Sequence, residues 1–297
     1  MKPRILYVIL VLTFSSVKAQ ENVLISETDS INLYETYLST NTTNNIFPTI
    51  YNQGLLYSSA HKSNFYHLFY SDLNSKSKKI KIAKKVQSGS LNVFKNEIYL
   101  TATSKNKDSF GVSNLAIYQG IIEDFKVTNL QLLPICKNEF SYADPAISKD
   151  GNVMVIVTNE KGRYHLLELK RTENNTWIRG DVVYISHPNF KLLNPTFYNE
   201  NTIYFSSNIY NGELTSVVYE NIDGNIEMVE KNREVGVFNI YKIERKNGIW
   251  GIPIKATEFN SEFDELGVLF TTKLSGYLTT YRFNNNDNIY YFKLKKH

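Results

Sequence analysis

NPTFYNENTIYFSSN, residues 194–208, is the clearest copy of a pattern that recurs along this chain of 297 residues. A proline corner leads into a short apolar strand, a polar turn and a second β-rich run that ends in small hydroxyl residues. Two further copies are FPTIYNQGLLYSS at 47–59 and DPAISKDGNVMVI at 144–156, and FDELGVLFTT at 263–272 is a looser one. Such repetition indicates equivalent structural units arranged side by side.

The spacing of these copies identifies the kind of unit. Pro145 and Pro195 stand 50 positions apart, and Pro48 and Pro145 stand 97 apart, which is about two units. A copy without its proline, SLNVFKNEIYLTAT, fits between them at 90–103. Four strands in about 40–50 residues is the spacing of β-propeller blades, and the apolar positions do not recur at helical intervals. We predict an all-β propeller of four-stranded antiparallel blades.

The sequence is compatible with two numbers of blades. Between residues 207 and 260 the rhythm blurs, although 215–219, 226–229 and 238–243 still have strand character. Five clear units and one doubtful unit favour six blades, with five as the alternative. The segment Asn22–Leu38 is expected to supply a strand to the last blade, which closes a ring without exposed edges.

The first 19 residues have the features of a signal peptide. Lys2 and Arg4 precede an apolar run of about ten residues, which is too short to span a bilayer as a helix. The small residues Val17 and Ala19 fit a cleavage site before Gln20. We expect residues 1–19 to be removed and 20–297 to form a single propeller domain, exported to the periplasm or to the cell surface or medium, with no transmembrane segment after cleavage.

The composition of the chain argues against a nucleic-acid partner and excludes an internal disulfide. The net charge of +4 is mild, and the Lys-rich stretch at 76–85 alternates with Ile, which indicates an outer edge strand protected by charge. We therefore expect no nucleic-acid partner and a monomeric protein. Cys136 is the single cysteine, so no internal disulfide is possible, and we expect its side chain to be a small buried apolar group.

The repeats resemble the WD40-like propeller repeats of TolB-type proteins from the bacterial envelope. The likeness is carried by 195–208 and by the tail segments 239–241, 247–253, 260–265, 276–282 and 287–292, and it extends over Ile46–Lys293. It implies an envelope protein like those that Bacteroidota link to an OmpA-like domain. No such domain follows in this chain, so an anchoring role is not expected.

No familiar catalytic or metal motif accompanies the repeats. Gly111–Asn114 lacks the closing glycine of a serine-nucleophile elbow, and the histidines do not have the close spacing of a zinc site. Asn284–Asn288 is rich in oxygen donors but has one carboxylate, which is typical of a plain loop rather than a calcium site. We expect no metal and no cofactor.

Several carboxylates nevertheless stand at the corners of the repeats. Asp144 and the pair Asp264–Glu265 occupy corners that look equivalent, so a ring could bring them to the mouth of its channel. Capping of their own turns by a local hydrogen bond is the favoured interpretation. The alternative is a pair of facing carboxylates, as glycosidases require.

Intact repeats without a catalytic constellation favour a non-catalytic module that binds an envelope protein or a glycan through its loops. The expected binding residues are Asp144, Asp264, Glu265, Tyr281 and Arg282. The alternative is a glycan-active hydrolase that uses carboxylates at the channel mouth, and a third possibility is a structural fragment of an envelope complex.

Overall fold

The computed structural model describes residues 23–40, 42–60, 66–73, 77–82, 88–209, 214–233, 236–283 and 285–296. The expected signal peptide lies outside the described residues. Within these ranges nearly all regular structure is β-strand, and the one helix is a single 3-10 turn at Thr257–Phe259. No helix in this part of the chain is long and apolar enough to cross a membrane.

The strands form blades in chain order, apart from the first two. Strands β1 (Leu24–Glu27) and β2 (Ile31–Tyr34) belong to the last blade. Blade 1 consists of β3 (Asn45–Tyr51), β4 (Gly54–Ser59), β5 (His67–Ser71) and β6 (Lys78–Lys79). Blade 2 consists of β7 (Lys81–Ile82), β8 (Ser88–Phe94), β9 (Glu97–Thr103), β10 (Leu115–Glu123) and β11 (Lys126–Leu132).

The second half of the chain contains three more blades and one inserted hairpin. Blade 3 consists of β12 (Tyr142–Ile147), β13 (Val153–Thr158), β14 (His165–Arg171) and β15 (Trp177–Ile185). Blade 4 and its hairpin consist of β16 (Leu192–Asn199), β17 (Thr202–Ser207), β18 (Leu214–Ile222), β19 (Asn225–Arg233), β20 (Asn239–Lys246), β21 (Ile249–Trp250) and β22 (Ile254–Lys255). Blade 5 contains β23 (Glu265–Phe270), β24 (Ser275–Thr280) and β25 (Asn288–Leu294).

The fold is the predicted all-β propeller, and it has five blades. The innermost strands β3, β8, β12, β16 and β23 contact one another in a closed cycle. The preferred number of six blades was wrong and the alternative of five is correct. The reason lies in β18 and β19, which pair with each other as a separate two-stranded hairpin between β17 and β20. Their strand character was recognised, but they build an insertion rather than a blade.

The N-terminal strand closes the ring, as predicted. Strand β2 pairs antiparallel with β25 over Ile31–Tyr34, and β1 pairs with β2 on the outside. The first segment of the chain thus completes the blade built from its last segment, so blade 5 is held from both ends of the described chain.

The recurring proline corner is a β-bulge at the inner wall of the ring. In the innermost strands of blades 1, 3 and 4 the register shifts next to Pro48, Pro145 and Pro195. A bulge leaves a residue outside the ladder, so proline, which has no N–H to donate, is tolerated there. The proline of the repeat therefore marks the bulge in each of these strands.

The small hydroxyl residues that end each repeat connect neighbouring blades. The Ser58 hydroxyl donates to the Gly89 carbonyl at 2.6 Å, and the Ser206 hydroxyl donates to the Glu265 carbonyl. Thr101 Oγ1 accepts a hydrogen bond from the N–H of Asp144 at 2.9 Å. Because a bulge leaves backbone groups outside the ladder, a hydroxyl from the preceding blade satisfies them. This explains why the hydroxyls recur with the proline.

Two further expectations concern the Lys/Ile stretch and Cys136. The described part of the Lys/Ile stretch provides outer edge strands, as expected: β6 is the edge of blade 1, and β7 pairs parallel with β11 at the edge of blade 2. Cys136 is a free, partly buried thiol that packs against the cores of blades 2 and 3. Burial raises the pKa of its thiol to about 11, which suppresses the reactive thiolate.

The alternation of strands gives the ring two different faces. We call the face on which the innermost strands begin the loop face. Its described connections include 35–40, 42–44, 104–114, 133–141, 256–264, 281–283 and 285–287. The opposite turn face carries mostly tight turns, such as 52–53, 95–96 and 247–248. Because functional residues of rigid scaffolds concentrate on longer loops, the loop face is where a site is expected.

Candidate functional site

Asp144, the first of the expected binding residues, lies in the wall of the central channel. Its Oδ1 accepts a hydrogen bond from the Ser90 hydroxyl, and its Oδ2 accepts one from the Asn194 N–H at 3.0 Å. Burial raises the pKa of the Asp144 carboxyl, and these two hydrogen bonds oppose the rise. Ser90, Asp144 and Asn194 belong to blades 2, 3 and 4, so this carboxyl joins three blades.

The channel beside Asp144 is narrow. It encloses a cavity of about 30 Å³ that Phe47, Asn194 and Thr279 help to line, which is room for about one or two water molecules and not for a sugar ring. The favoured interpretation of Asp144 was a hydrogen bond within its own turn. The bonds cross to other blades instead, because the bulge directs the carboxyl along the ring wall.

Glu265 and Arg282 form a buried ion pair inside blade 5. Arg282 Nε donates to Glu265 Oε1 at 2.8 Å, and the Ser261 hydroxyl donates to the same oxygen at 2.5 Å. Arg282 also donates to the Phe259 carbonyl. Burial raises the pKa of the Glu265 carboxyl, and the Arg282 charge opposes that rise. The Glu265 side chain is fully buried, so this pair fastens the loop after β24 to the blade.

Asp264 and Tyr281 differ from those residues because both reach the loop face. The Tyr281 N–H donates to the Asp264 carbonyl at 3.0 Å, and Asp264 Oδ1 accepts a hydrogen bond from the Phe238 N–H at 2.7 Å. Asp264 is partly exposed, and Tyr281 is 38 % exposed. Two of the five expected binding residues thus share a position that solvent can reach.

A second carboxylate at this position, Asp287, was not selected from the sequence. Its carbonyl accepts a hydrogen bond from the Asn45 N–H at 2.8 Å, so it lies at the seam between blades 5 and 1. Two buried amides fix the seam: Asn45 donates to the Leu38 carbonyl at 2.8 Å, and Asn288 donates to the Thr40 carbonyl at 2.7 Å. The backbone around Asp287 is therefore held by both blades.

The groups at the seam interact electrostatically. Burial raises the pKa of Asp287 to about 6, and the Asp264 carboxylate adds to the rise. The pKa of the Tyr66 phenol is raised, mainly by burial and less by the Asp287 charge, whereas a hydrogen bond with Asn44 opposes the rise. We call Asp264, Asp287, Tyr66, Asn44 and Tyr281 the junction site.

The junction site has the elements of acid–base chemistry. A carboxyl that stays protonated up to about pH 6 beside a second carboxylate can divide the roles of acid and base between them. In the described part of the chain no group of three or more His, Cys, Asp and Glu residues could hold a metal ion. The sequence offered one weak signal, the lone Asp in an Asn-rich loop.

The sequence matches no protein-family profile and no curated protein, whereas solved structures share its fold. A thermostable family-43 glycoside hydrolase aligns with a TM-score of 0.52 at 11 % identity, over 88 % of this chain and 96 % of its own. A GH32 β-fructofuranosidase from Bombyx mori aligns with 0.51 at 9 %, over 83 % and 58 %. A putative TolB from Agrobacterium tumefaciens aligns with 0.48 at 11 %, over 90 % and 98 %. At these identities the likeness shows the fold.

These alignments correct the functional expectation. The intact ring led us to favour a non-catalytic module that is not an enzyme, but the structures that share the ring include glycoside hydrolases. A ring of this kind therefore does not indicate a non-catalytic role, and that expectation was wrong. TolB structures are also among those that align, while the Bacteroidota and OmpA-associated detail stays a prediction.

The raised pKa of Asp287 has a consequence for stability. Its folded value of about 6 lies above the ordinary 3.8, so its contribution favours folding below about pH 3.8 and is lost as pH rises through about 6. We expect Asp287→Asn, which resembles the neutral carboxyl, to be more stable than the wild type at about pH 7.5 and equal to it at about pH 4. Urea midpoints at both pH values measure this.

The matched control for that measurement is Asp124→Asn, which changes an exposed aspartate on the turn face. Its urea midpoints at the same two pH values give the effect of removing a carboxylate away from the junction site. An Asp287→Asn difference that is the same at both pH values would show that burial does not disfavour this charge.

Proposed function

We propose that this chain hydrolyses glycosidic bonds at the junction site, with Asp287 as the acid and Asp264 as its partner carboxylate. The observation that supports this most directly is the raised pKa of Asp287 beside a second carboxylate, at a solvent-open seam on the loop face. Glycosidases need one protonated and one ionised carboxyl on either side of the scissile bond. The enzyme alternative is also the one that the structural neighbours favour.

The reaction assigns a proton transfer to each carboxyl. Asp287 gives its proton to the leaving glycosidic oxygen as the bond from that oxygen to the anomeric carbon breaks. The oxygen of a water molecule forms the new bond to that carbon, and Asp264 accepts the proton that the water loses. The Phe238 N–H, which donates to Asp264 Oδ1 at 2.7 Å, orients this carboxylate. One water is consumed, and two hydroxyl groups are formed.

The other members of the junction site suit a sugar. Asn44 and the Tyr66 phenol supply hydrogen-bond donors and acceptors next to Asp287. The Tyr281 ring, 38 % exposed, offers an apolar surface for the C–H face of a sugar ring. Export is part of the proposal: a periplasmic, surface-bound or secreted protein meets envelope or environmental glycans.

The test is a hydrolysis screen of the purified protein. The substrates are 4-nitrophenyl α-L-arabinofuranoside, β-D-xyloside, β-D-glucoside and β-D-galactoside, together with soluble arabinan, xylan and laminarin. We expect turnover of at least one substrate, with kcat falling as pH rises through about 6. Because an acid or base group contributes about 10²–10⁴-fold, Asp287→Asn and Asp264→Asn should each lower kcat by that factor.

The control variant is Asp124→Asn, on the turn face, which should keep full activity. Retention of the wild-type kcat by both junction variants would remove these carboxylates from the chemistry. Failure of milligram amounts of the wild type to cleave any of the seven substrates would overturn the proposed function itself.

A further inference from the structure

The most exposed apolar side chain on the loop face is Phe110, which is 90 % exposed. It lies at the tip of the connection 104–114 between β9 and β10 of blade 2, and Val112 beside it is 53 % exposed. Phe110 therefore contributes little to the core of this protein. Single exposed apolar residues are common on protein surfaces, so exposure alone does not indicate a binding role for Phe110.

The first observation is that the loop is built to hold its tip. Asp108 Oδ1 accepts hydrogen bonds from the N–H groups of Phe110 at 2.9 Å and of Val112 at 2.8 Å. The backbone of Asp108 also bonds to Val112 and to Gly111. One aspartate thus fixes the backbone on both sides of Phe110 and presents the ring outward.

The second observation is that the loop is fastened to the ring. Asn114 Nδ2 donates to Asp108 Oδ2 at 3.2 Å and to the Asn138 carbonyl at 2.8 Å. Asn114 Oδ1 accepts a hydrogen bond from the Ser141 hydroxyl at 3.2 Å. The tip is thereby connected to the loop that enters blade 3, so the position of Phe110 on the loop face is fixed.

The third observation is that other exposed aromatic rings share this face. Phe263, which is 40 % exposed, directly precedes Asp264 in the chain. Tyr281, which is 38 % exposed, contacts Asp264 at the junction site through its N–H. Tyr37, which is 51 % exposed, lies in the loop that leads into blade 1. The junction site lies at the seam of blades 5 and 1 and Phe110 lies in blade 2, so exposed rings occur on both sides of blade 1.

We propose that the junction site acts on a polymeric glycan and that Phe110 is a specificity-determining residue that binds the chain away from the scissile bond. This inference rests on the proposed function. Sugar rings present flat C–H faces, and a rigid aromatic ring packs against such a face with little loss of conformational entropy. A long chain spans blade 1 and reaches Phe110, whereas a short glycoside fills only the junction site.

The expected effect is a division between long and short substrates. Loss of one aromatic contact corresponds to roughly tenfold in affinity. Phe110→Ala should therefore raise KM about tenfold on the polysaccharide that the wild type cleaves, with kcat unchanged. Its kinetics on the matching 4-nitrophenyl glycoside should equal those of the wild type. Phe110→Tyr, which keeps a ring, should behave as the wild type on both.

The experiment combines these kinetics with a readout that does not need catalysis. Wild type, Phe110→Ala, Phe110→Tyr and the control Ile252→Ala are run through native gels that contain arabinan, xylan or laminarin. Ile252 is 85 % exposed at the outer edge of blade 4, so its loss tests for a general effect of exposed apolar groups. We expect one polysaccharide to retard the wild type, Phe110→Tyr and Ile252→Ala but not Phe110→Ala.

The outcomes separate this inference from the proposed function. Retardation that depends on Phe110 without any hydrolysis supports the chain-binding role and overturns the catalytic proposal. Hydrolysis of short glycosides together with a Phe110→Ala variant unchanged on polymers, in kinetics and in gels, overturns the inference alone. Equal loss in Ile252→Ala and Phe110→Ala also overturns it.

Discussion

Gly276→Ala is expected to destabilise the propeller by more than about 4 kcal/mol, in the range that only severe steric or electrostatic changes reach. A Cβ at position 276 would lie 1.9 Å from the Leu269 carbonyl oxygen and 2.9 Å from the Phe270 Cα. Both atoms belong to the backbone of the adjacent strand β23, which pairs with β24 at this point. The strands would have to separate to admit the methyl group, so no side-chain rotation can relieve the clash.

Urea unfolding followed by the fluorescence of Trp177 and Trp250 measures this effect. The matched control is Gly89→Ala, whose Cβ would meet atoms of Thr101 at 3.5 Å and beyond, and which should change stability by less than about 1 kcal/mol. A Gly276→Ala variant that yields no folded protein agrees with the prediction. Equal urea midpoints for the two variants would contradict it.

Arg282→Met is expected to destabilise the protein by about 3–5 kcal/mol at neutral pH, because it leaves the buried Glu265 charge without its partner. Glu265 is fully buried and Arg282 is 10 % exposed, so water cannot replace the lost ion pair. The loss should become smaller in acid, since protonation of Glu265 removes the uncompensated charge. For the same reason, Glu265→Gln in the Arg282→Met background should restore part of the stability.

The appropriate comparison is Lys295→Met, which removes an exposed ion pair with Glu27. There the side chains are 33 % and 56 % exposed, and the expected loss is below about 1 kcal/mol. The free energies of unfolding of both variants, measured at neutral pH and in acid, test the argument. If Arg282→Met and Lys295→Met lower the free energy of unfolding by similar amounts, burial does not increase the contribution of the Glu265–Arg282 pair to stability.

The repeats predicted the fold because they mark local geometry. The copy at 194–208 covers most of β16 and all of β17, and the copy at 47–59 covers most of β3 and all of β4. Proline at a bulge and hydroxyls at a blade contact depend on residues close in sequence or on the next repeat. Such features recur in each unit, and a single sequence shows them directly.

The number of blades could not be predicted from the repeat pattern. Residues 215–219 and 226–229 have the composition of strands and are strands in the structure. Whether two strands join a blade or pair only with each other depends on contacts with distant strands, and strand composition is the same in both cases. The hairpin was therefore counted toward a sixth unit.

The sequence selected only some members of the proposed junction site, for a related reason. Asp264 was selected because it stands at a repeat corner and Tyr281 because it lies beside the corner residues, and both are members of the junction site. Asp287 was not, since its chemistry comes from burial at the seam and from the Asp264 charge, both of which arise only in the assembled ring. Phe110 lies between two copies of the repeat, so the repeat pattern gives no information about it.

Closure of the ring by β2 determines when the protein can acquire its final topology. The Thr36 hydroxyl, just after β2, donates to the Ile289 carbonyl, 253 residues further along the chain. On the ribosome the first of these residues emerges long before the second, so the last blade stays incomplete until both are available. Contacts of such sequence separation also slow folding. The last blade therefore forms only when segments from the two ends of the described chain meet.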